Sequence, residues 1–152
     1  MAIRNVIQIG DPTLRKKSFE VTDFGEKTHQ LLDDMKETLI KEDGVGLAAP
    51  QVGVLRRVFI LLVNEEYYEC INPKIISQKG SQIAEEGCLS VKGKFGAVER
   101  PMEVTLSAFD RNGKPFKLKG KGLLARAICH ENDHLDGILY VDKVQDLKEK
   151  KD

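Results

Sequence analysis

The sequence predicts an α+β fold, with mostly antiparallel sheets around a central helix that carries two histidines, and one additional amphipathic helix near the N-terminus. Three observations support this prediction. Apolar residues recur at helical spacing in two segments, short runs rich in β-favouring residues lie between those segments, and turn residues join several of the runs. The predicted order is therefore a helix, several strands and a second helix.

The first predicted helix covers residues 28–41 and is followed by Gly44, which ends it. Its apolar positions recur at helical spacing and are Leu31, Leu32, Met35 and Leu39. Before this helix, Asp11 and Pro12 have the composition of a turn. After it, residues 58–63 form a continuous apolar run that indicates a strand buried on both faces.

Further strands are predicted over residues 67–71 and 74–78, with Asn72 and Pro73 separating them. Residues 102–118 then alternate between apolar and polar side chains on either side of a turn sequence, Asp-Arg-Asn-Gly. This pattern predicts a β-hairpin.

The chain length of 152 residues is typical of a single domain, and no repeat, linker or change in composition divides it. We expect one catalytic domain over residues 1–143 and a charged tail over residues 144–152, solvated or forming a frayed helix.

Lys plus Arg equals Asp plus Glu at 24 each, and no nucleic-acid binding motif is visible, so a nucleic-acid partner is not expected. No apolar run approaches the ~20 residues of a membrane span, and the N-terminus lacks the order of a signal peptide. A cytoplasmic protein without a membrane partner is expected.

The second predicted helix, over residues 122–135, carries the sequence His-Glu-Asn-Asp-His at positions 130–134. Because His130 and His134 are four residues apart, they lie on one face of the helix and can bind one divalent metal ion. Glu131 is close to that metal but poorly placed to be a ligand, so it is the natural general acid or base for a water bound there.

A catalytic two-histidine site needs a third protein ligand, and Cys88 is the best candidate. It follows Gly87, where the backbone can bend and bring a thiolate and main-chain N–H groups close to an ion. The three cysteines of the chain form no even disulfide framework, so reduced thiols are expected. Cys129 lies about 140° from His134 around the helix and is predicted to be a buried apolar residue. Cys70 falls in a predicted strand. Of the acidic residues downstream of His134, Asp136 follows too closely and would point away from the face that carries the two histidines.

A third segment, residues 44–51, contains two glycines and two alanines among its eight residues. Small residues permit an extended ligand to approach the backbone closely, although a tight loop would explain them equally well. Gln51 ends this segment, and its amide could donate a hydrogen bond to an oxyanion.

Together these three segments resemble the bacterial peptide deformylases, which carry a G-Φ-G-L-A-A-x-Q loop, an E-G-C-L-S segment and a helical H-E-x-D-H motif in that order. Here the motifs stand at residues 44–51, 86–90 and 130–134. The resemblance implies removal of the formyl group from the N-terminal formyl-methionine of new polypeptides, with release of formate.

The resemblance also implies a role for individual residues. Cys88, His130 and His134 match the metal ligands, and Glu131 the catalytic acid/base. Gln51 and the Leu89 backbone N–H match the groups that stabilise the oxyanion. Val45 and Gly46 match the loop that pairs with the substrate backbone, and Glu86 with Gly87 would border the methionine pocket.

One divalent metal ion is implied, with Fe(II) as the native metal and Zn(II) or Ni(II) as alternatives that a thiolate and two imidazoles also suit. The implied partners are N-formylmethionyl peptides of nascent chains, and the ribosome is a further candidate. The sequence departs from many relatives at Lys92 and Phe95 and in its short tail. We expect Lys92 and Phe95 to alter peptide preference beyond the first residue.

Three other interpretations compete with this one. A zincin-like metallopeptidase shares the histidine motif but needs a downstream third ligand. A structural metal site needs a fourth protein ligand and has no use for Glu131. A deformylase-like protein with an altered substrate would keep the metal chemistry and differ at the rim of the groove.

Overall fold

Two antiparallel sheets and two helices make up the fold, seen in a computed structural model that describes residues 2–144 and 146–149. The helices are α1 (Glu26–Glu42) and α2 (Leu123–Leu135). The strands are β1 (Gly46–Ala48), β2 (Val58–Val63), β3 (Glu66–Lys79), β4 (Gln82–Cys88), β5 (Val91–Arg100), β6 (Glu103–Phe109), β7 (Pro115–Lys121) and β8 (Lys148–Glu149). Short 3-10 helices cover Pro12–Arg15, Ala49–Val52 and Tyr140–Asp142. The predicted α+β class is confirmed.

The larger sheet has the strand order β1-β2-β3-β6-β7 and separates the two helices. Alternate residues of β2 point to opposite faces. Val58 and Ile60 join the apolar cluster of α1, whereas Phe59 and Leu61 join that of α2. The prediction of a strand buried on both faces is therefore confirmed, and the four apolar positions predicted for the first helix are buried.

The smaller sheet, with the order β4-β5-β8, forms one wall of the cavity beside Cys88. Its hairpin of β4 and β5 turns at Leu89 and Ser90, immediately after Cys88. Neither strand was predicted, because glycines and charged residues interrupt the apolar alternation that would indicate a strand. This hairpin brings Cys88 to the last turn of α2, where its sulfur meets His134.

Two predictions of secondary structure were wrong in detail. The strands predicted over residues 67–71 and 74–78 are one strand, β3, because Asn72 adopts a left-handed conformation (φ 50°) at a bulge and pairing resumes at Lys74. In the tail, Lys148 and Glu149 pair with β5 as a strand, where a solvated or frayed helix was predicted. Residue 145 and residues 150–152 of that tail lie outside the described residues.

Candidate metal centre and active site

Cys88, His130 and His134 come together at the junction of β4 and α2, with their candidate ligand atoms all within 4.8 Å of one another. The Cys88 sulfur lies 3.4 Å from Nε2 of His134. In a tetrahedral site, bonds of about 2.3 Å to sulfur and about 2.05 Å to nitrogen place two ligand atoms about 3.5 Å apart. The spacing of these atoms is therefore that of ligands around one ion.

The chemistry of these three groups also fits a divalent metal. Burial holds the pKa of His134 well below its ordinary value, so the imidazole stays neutral, as metal binding requires. The Ser90 backbone N–H donates to the Cys88 sulfur at 3.5 Å, which holds that sulfur beside His134. Within the described residues no fourth Cys, His, Asp or Glu joins the group. Three ligands with one side open to a cavity are typical of a catalytic rather than a structural site.

The ring of His130 is fixed by a buried carboxylate. Its Nδ1 lies 2.8 Å from Oε1 of Glu86, and because an ionised carboxylate only accepts, Nδ1 carries a proton and Nε2 is the ring nitrogen left to bind a metal ion. Glu86 in turn accepts from Arg100 at 2.9 and 3.0 Å and from Arg126. Burial alone would raise the pKa of Glu86, but the bonds from Arg100 and His130 lower it to about 2. Glu86 is therefore ionised at neutral pH.

Glu131 is buried beside the candidate metal ligands, and burial raises its pKa to about 7. Its Oε2 lies 4.0 Å from Nε2 of His130. Its Oε1 has no hydrogen-bond partner among the residues that the structure describes. A buried carboxyl with a pKa near neutrality and one oxygen left open can both accept and return a proton.

The amide of Gln51 has its orientation fixed at both ends. Oε1 accepts from the Ala48 backbone N–H at 2.9 Å, and Nε2 donates to the Ser90 hydroxyl at 3.0 Å and approaches the Cys88 sulfur at 3.5 Å. The N–H side of the amide therefore faces the candidate ligand Cys88. The loop 44–51 and the 86–90 segment are held together at this point.

A cavity of about 420 Å³ opens beside these groups. Of the ten residues that sequence reasoning singled out, nine line it, whereas His134 is buried behind Cys88. The nine are Val45, Gly46, Gln51, Glu86, Gly87, Cys88, Leu89, His130 and Glu131. Lys92 also lines the cavity and lies 3.8 Å from the Glu42 carboxylate, whereas Phe95 pairs with Lys148 of β8.

Neither of the other two cysteines joins the group of candidate ligands. Cys70 and Cys129 are buried in the apolar cluster between the larger sheet and α2. Burial raises the pKa of Cys129 to about 11 and also raises that of Cys70, so both stay protonated thiols.

Sequence reasoning missed four residues that hold the site in place. Arg100 and Arg126 bind Glu86, the Ser90 hydroxyl accepts from Gln51, and Tyr140 stacks on His130 with ring centroids 6.0 Å apart. Only Ser90 had a signal in the sequence, as part of the motif that contains Cys88. Arg100 and Arg126 look like ordinary surface charges until the fold buries them.

Comparisons of the sequence with known proteins all point to one family. A sequence model of the family described as polypeptide deformylase matches residues 3–150. A peptide deformylase of Caldanaerobacter subterraneus subsp. tengcongensis is 52% identical over 144 residues, covering 95% of this chain and 91% of the relative. Among the described helices, none is both long and apolar enough to cross a membrane.

Solved structures of peptide deformylases are also similar to this chain. A peptide deformylase from Legionella pneumophila superimposes with a TM-score of 0.92 at 43% identity, covering 95% of this chain and 87% of the other. One from Synechococcus elongatus, in complex with actinonin, superimposes with a TM-score of 0.91 at 39% identity, covering 93% and 79%. Because these matches extend over nearly the whole chain, the chain belongs to the polypeptide deformylase family, the metal-dependent hydrolases that remove the N-terminal formyl group from newly made polypeptides.

Proposed function

We propose that Cys88, His130 and His134 hold one divalent metal ion and that Fe(II) is the native metal. The observation that supports this most strongly is the convergence of the three candidate ligand atoms within 4.8 Å, beside a cavity. A thiolate with two imidazoles suits Zn(II) and Ni(II) as well, so the choice of Fe(II) rests on the resemblance to the family. When bound, the metal supplies Lewis acidity, which lowers the pKa of a coordinated water toward about 7.

Glu131 moves the proton in this proposal. It accepts the proton of the water that attacks the formyl carbon, and it returns that proton to the amine that leaves. The raised pKa of Glu131, about 7, matches the proton affinity that a group needs for both steps near neutral pH. General acid–base catalysis of this kind contributes about 10²- to 10⁴-fold in rate.

Gln51 and Leu89 stabilise the negative charge that develops on the formyl oxygen. The Gln51 amide is already oriented with its N–H side toward Cys88, and the N–H that makes the long 3.5 Å contact to sulfur is the one that would turn to the oxyanion. The backbone N–H of Leu89, which follows Cys88 directly, is the second donor. Removing one such donor costs about 100- to 1,000-fold in turnover in other acyl-transfer enzymes.

The cavity holds the substrate. Val45 and Gly46 pair with the backbone of the formylated peptide, and Glu86 with Gly87 borders the methionine side chain. A volume of about 420 Å³ lies within the range of small-ligand pockets, about 300–1,000 Å³. Lys92 stands at the mouth of this cavity, so it contacts peptide residues beyond the first.

The family acts on N-formyl peptides of nascent chains. We propose that the enzyme is cytoplasmic and contacts the ribosome, since its substrates are made there. We also propose residues 1–143 as the catalytic domain, since all ten proposed site residues lie there, and residues 144–152 as a tail, of which Lys148 and Glu149 pair with β5.

The test is formate release from a formyl-Met tripeptide, using protein prepared anaerobically with Fe(II) or loaded with Ni(II). The same peptide without its formyl group and a denatured protein run alongside. Release from the formylated peptide alone supports the proposal, and actinonin, found in the related Synechococcus elongatus complex, should block it. Cleavage of the denatured protein would identify a peptidase instead. No release with metal bound would mean a changed substrate, and Lys92 would then be the residue to replace.

A further inference from the structure

We infer that Gly46 is a positioning residue for Glu131, because it leaves the space that the Glu131 carboxylate occupies. This inference rests on the proposed role of Glu131 in deformylation. It gives Gly46 a function in addition to pairing with the substrate backbone, and it predicts that the two residues are coupled in stability as well as in activity.

A side chain at position 46 would meet Glu131 directly. An ideally placed Cβ would lie 2.6 Å from Oε2 of Glu131 and 2.9 Å from both its Cδ and its Cγ. These separations are shorter than Cβ atoms tolerate, so one of the two groups would have to move. The clash reaches Cγ as well as the carboxylate oxygen, so rotating the end of the Glu131 side chain would not relieve it.

Glu131 is buried at 3% exposure, and the space open to its side chain is the cavity that it lines. A retreat from position 46 would therefore move the carboxylate within the site. Any displacement would also change the 4.0 Å separation between Oε2 of Glu131 and Nε2 of His130. Adding one methyl group at Gly46 would therefore misplace the carboxylate relative to the metal ligands.

Backbone conformation does not explain the glycine. Gly46 lies in β1, paired with Leu61 of β2, and its φ is not in the left-handed region that favours glycine. An L-residue could adopt this backbone without strain. The contact with Glu131 is thus the feature of the structure that excludes a side chain here.

Gly44, in the same loop, provides a matched comparison. A Cβ at Gly44 would meet the Cδ1 atoms of Leu39 and Leu89, at 2.9 and 3.0 Å, and not Glu131. Replacing either glycine with alanine crowds a buried region, but only the change at Gly46 should depend on residue 131.

The first experiment is a double-mutant cycle on the Ni(II)-loaded protein, with thermal unfolding as the readout. Gly46→Ala should lower Tm by about 4–8 °C, as expected for overpacking in a domain of this size. In the Glu131→Ala background the same change should lower Tm by less than about 2 °C, because the methyl group then has space. Gly44→Ala should lower Tm equally in both backgrounds. An equal loss for Gly46→Ala in the two backgrounds would overturn the inference.

The second experiment separates positioning of Glu131 from approach of the substrate. Gly46→Ala should lower kcat on a formyl-Met tripeptide at least about tenfold, with KM within about twofold, since general acid–base catalysis is lost while binding remains. A raised KM with unchanged kcat would overturn the inference and leave Gly46 as a residue of substrate pairing alone. A failure of the proposed function would appear differently, as no formate release by the unmodified protein, and the coupling in Tm would still be measurable.

If Gly46→Ala does not fold, the double variant decides the question. Recovery of folded, metal-loaded protein on adding Glu131→Ala supports the inference, because removal of the clashing side chain is the change that restores folding. Failure of both variants to fold overturns it.

Discussion

Glu86→Gln tests whether the buried carboxylate holds both the fold and His130. The substitution keeps the shape of the side chain but removes its charge, while Arg100 and Arg126 remain buried against it. It also places an amide group where two oxygens now accept from Arg100, Arg126 and the Nδ1 of His130. At least one donor therefore loses its acceptor in a buried region.

We expect Glu86→Gln to cause a large loss of both stability and metal affinity. Breaking a buried ion pair by removing one partner costs about 3–5 kcal/mol, which corresponds to a fall in Tm of about 6–20 °C for a domain of this size. Loss of a carboxylate that orients a metal-binding histidine lowers metal affinity about 10- to 100-fold. Both effects follow from the same four contacts of Glu86.

The two effects can be measured separately, Tm by calorimetry and metal affinity by competition with a chromophoric chelator. Glu85→Gln is the matched control, because Glu85 is the exposed neighbour of Glu86 on β4, and its replacement should change stability by less than about 0.5 kcal/mol. If Glu86→Gln were as stable and bound metal as tightly as this control, the Glu86 carboxylate would support neither the fold nor His130.

Three further predictions concern single residues. Glu131→Ala should lower turnover by about 10²- to 10⁴-fold while metal analysis finds one ion per chain, and normal turnover would remove Glu131 from the mechanism. Cys88→Ser should lose metal on dialysis against a chelator far faster than Cys129→Ser, whereas equal loss would mean that Cys88 is not a ligand. Burial opposes ionisation of Asp34, but its bonds from the Ala2 N–H and from Arg4 hold its pKa below the usual value. The stability that Asp34 contributes is therefore present above its unfolded pKa of about 3.9 and is lost as pH falls through its lower folded pKa. Asp34→Asn should lower Tm at pH 7 and flatten the decline in Tm below pH 4; an unchanged decline would show that other groups cause it.

Residues whose interactions are local in the chain were predicted well. Helix α2 and the spacing of His130 and His134 follow from the 3.6-residue period, which the sequence displays directly. The hairpin of β6 and β7 was likewise visible from its alternation and its turn. Two candidate ligands on one helix can be predicted from their spacing alone, because no contact between distant parts of the chain is involved.

The surroundings of the candidate metal ligands were not predictable in the same way. Glu86 binds Arg100 and Arg126, which are 14 and 40 residues further along the chain, and nothing in the spacing of these residues indicates that they meet. Glu86 was assigned to the methionine pocket on the resemblance alone. It does line the cavity, but its carboxylate binds two arginines and His130, contacts that only the folded chain reveals.

The arrangement of the three candidate ligands also bears on how the chain unfolds. Cys88 comes from the smaller sheet and His134 from α2, 46 residues later, so an ion bound by both would cross-link the chain as a disulfide does. For a closed loop of that length, the chain entropy removed from the unfolded state corresponds to about 4 kcal/mol. Metal loss would then loosen the β4–β5 hairpin from α2 as well as stop the reaction. Faster amide hydrogen exchange in that hairpin would be its signature, and unchanged exchange after complete metal removal would exclude such a cross-link.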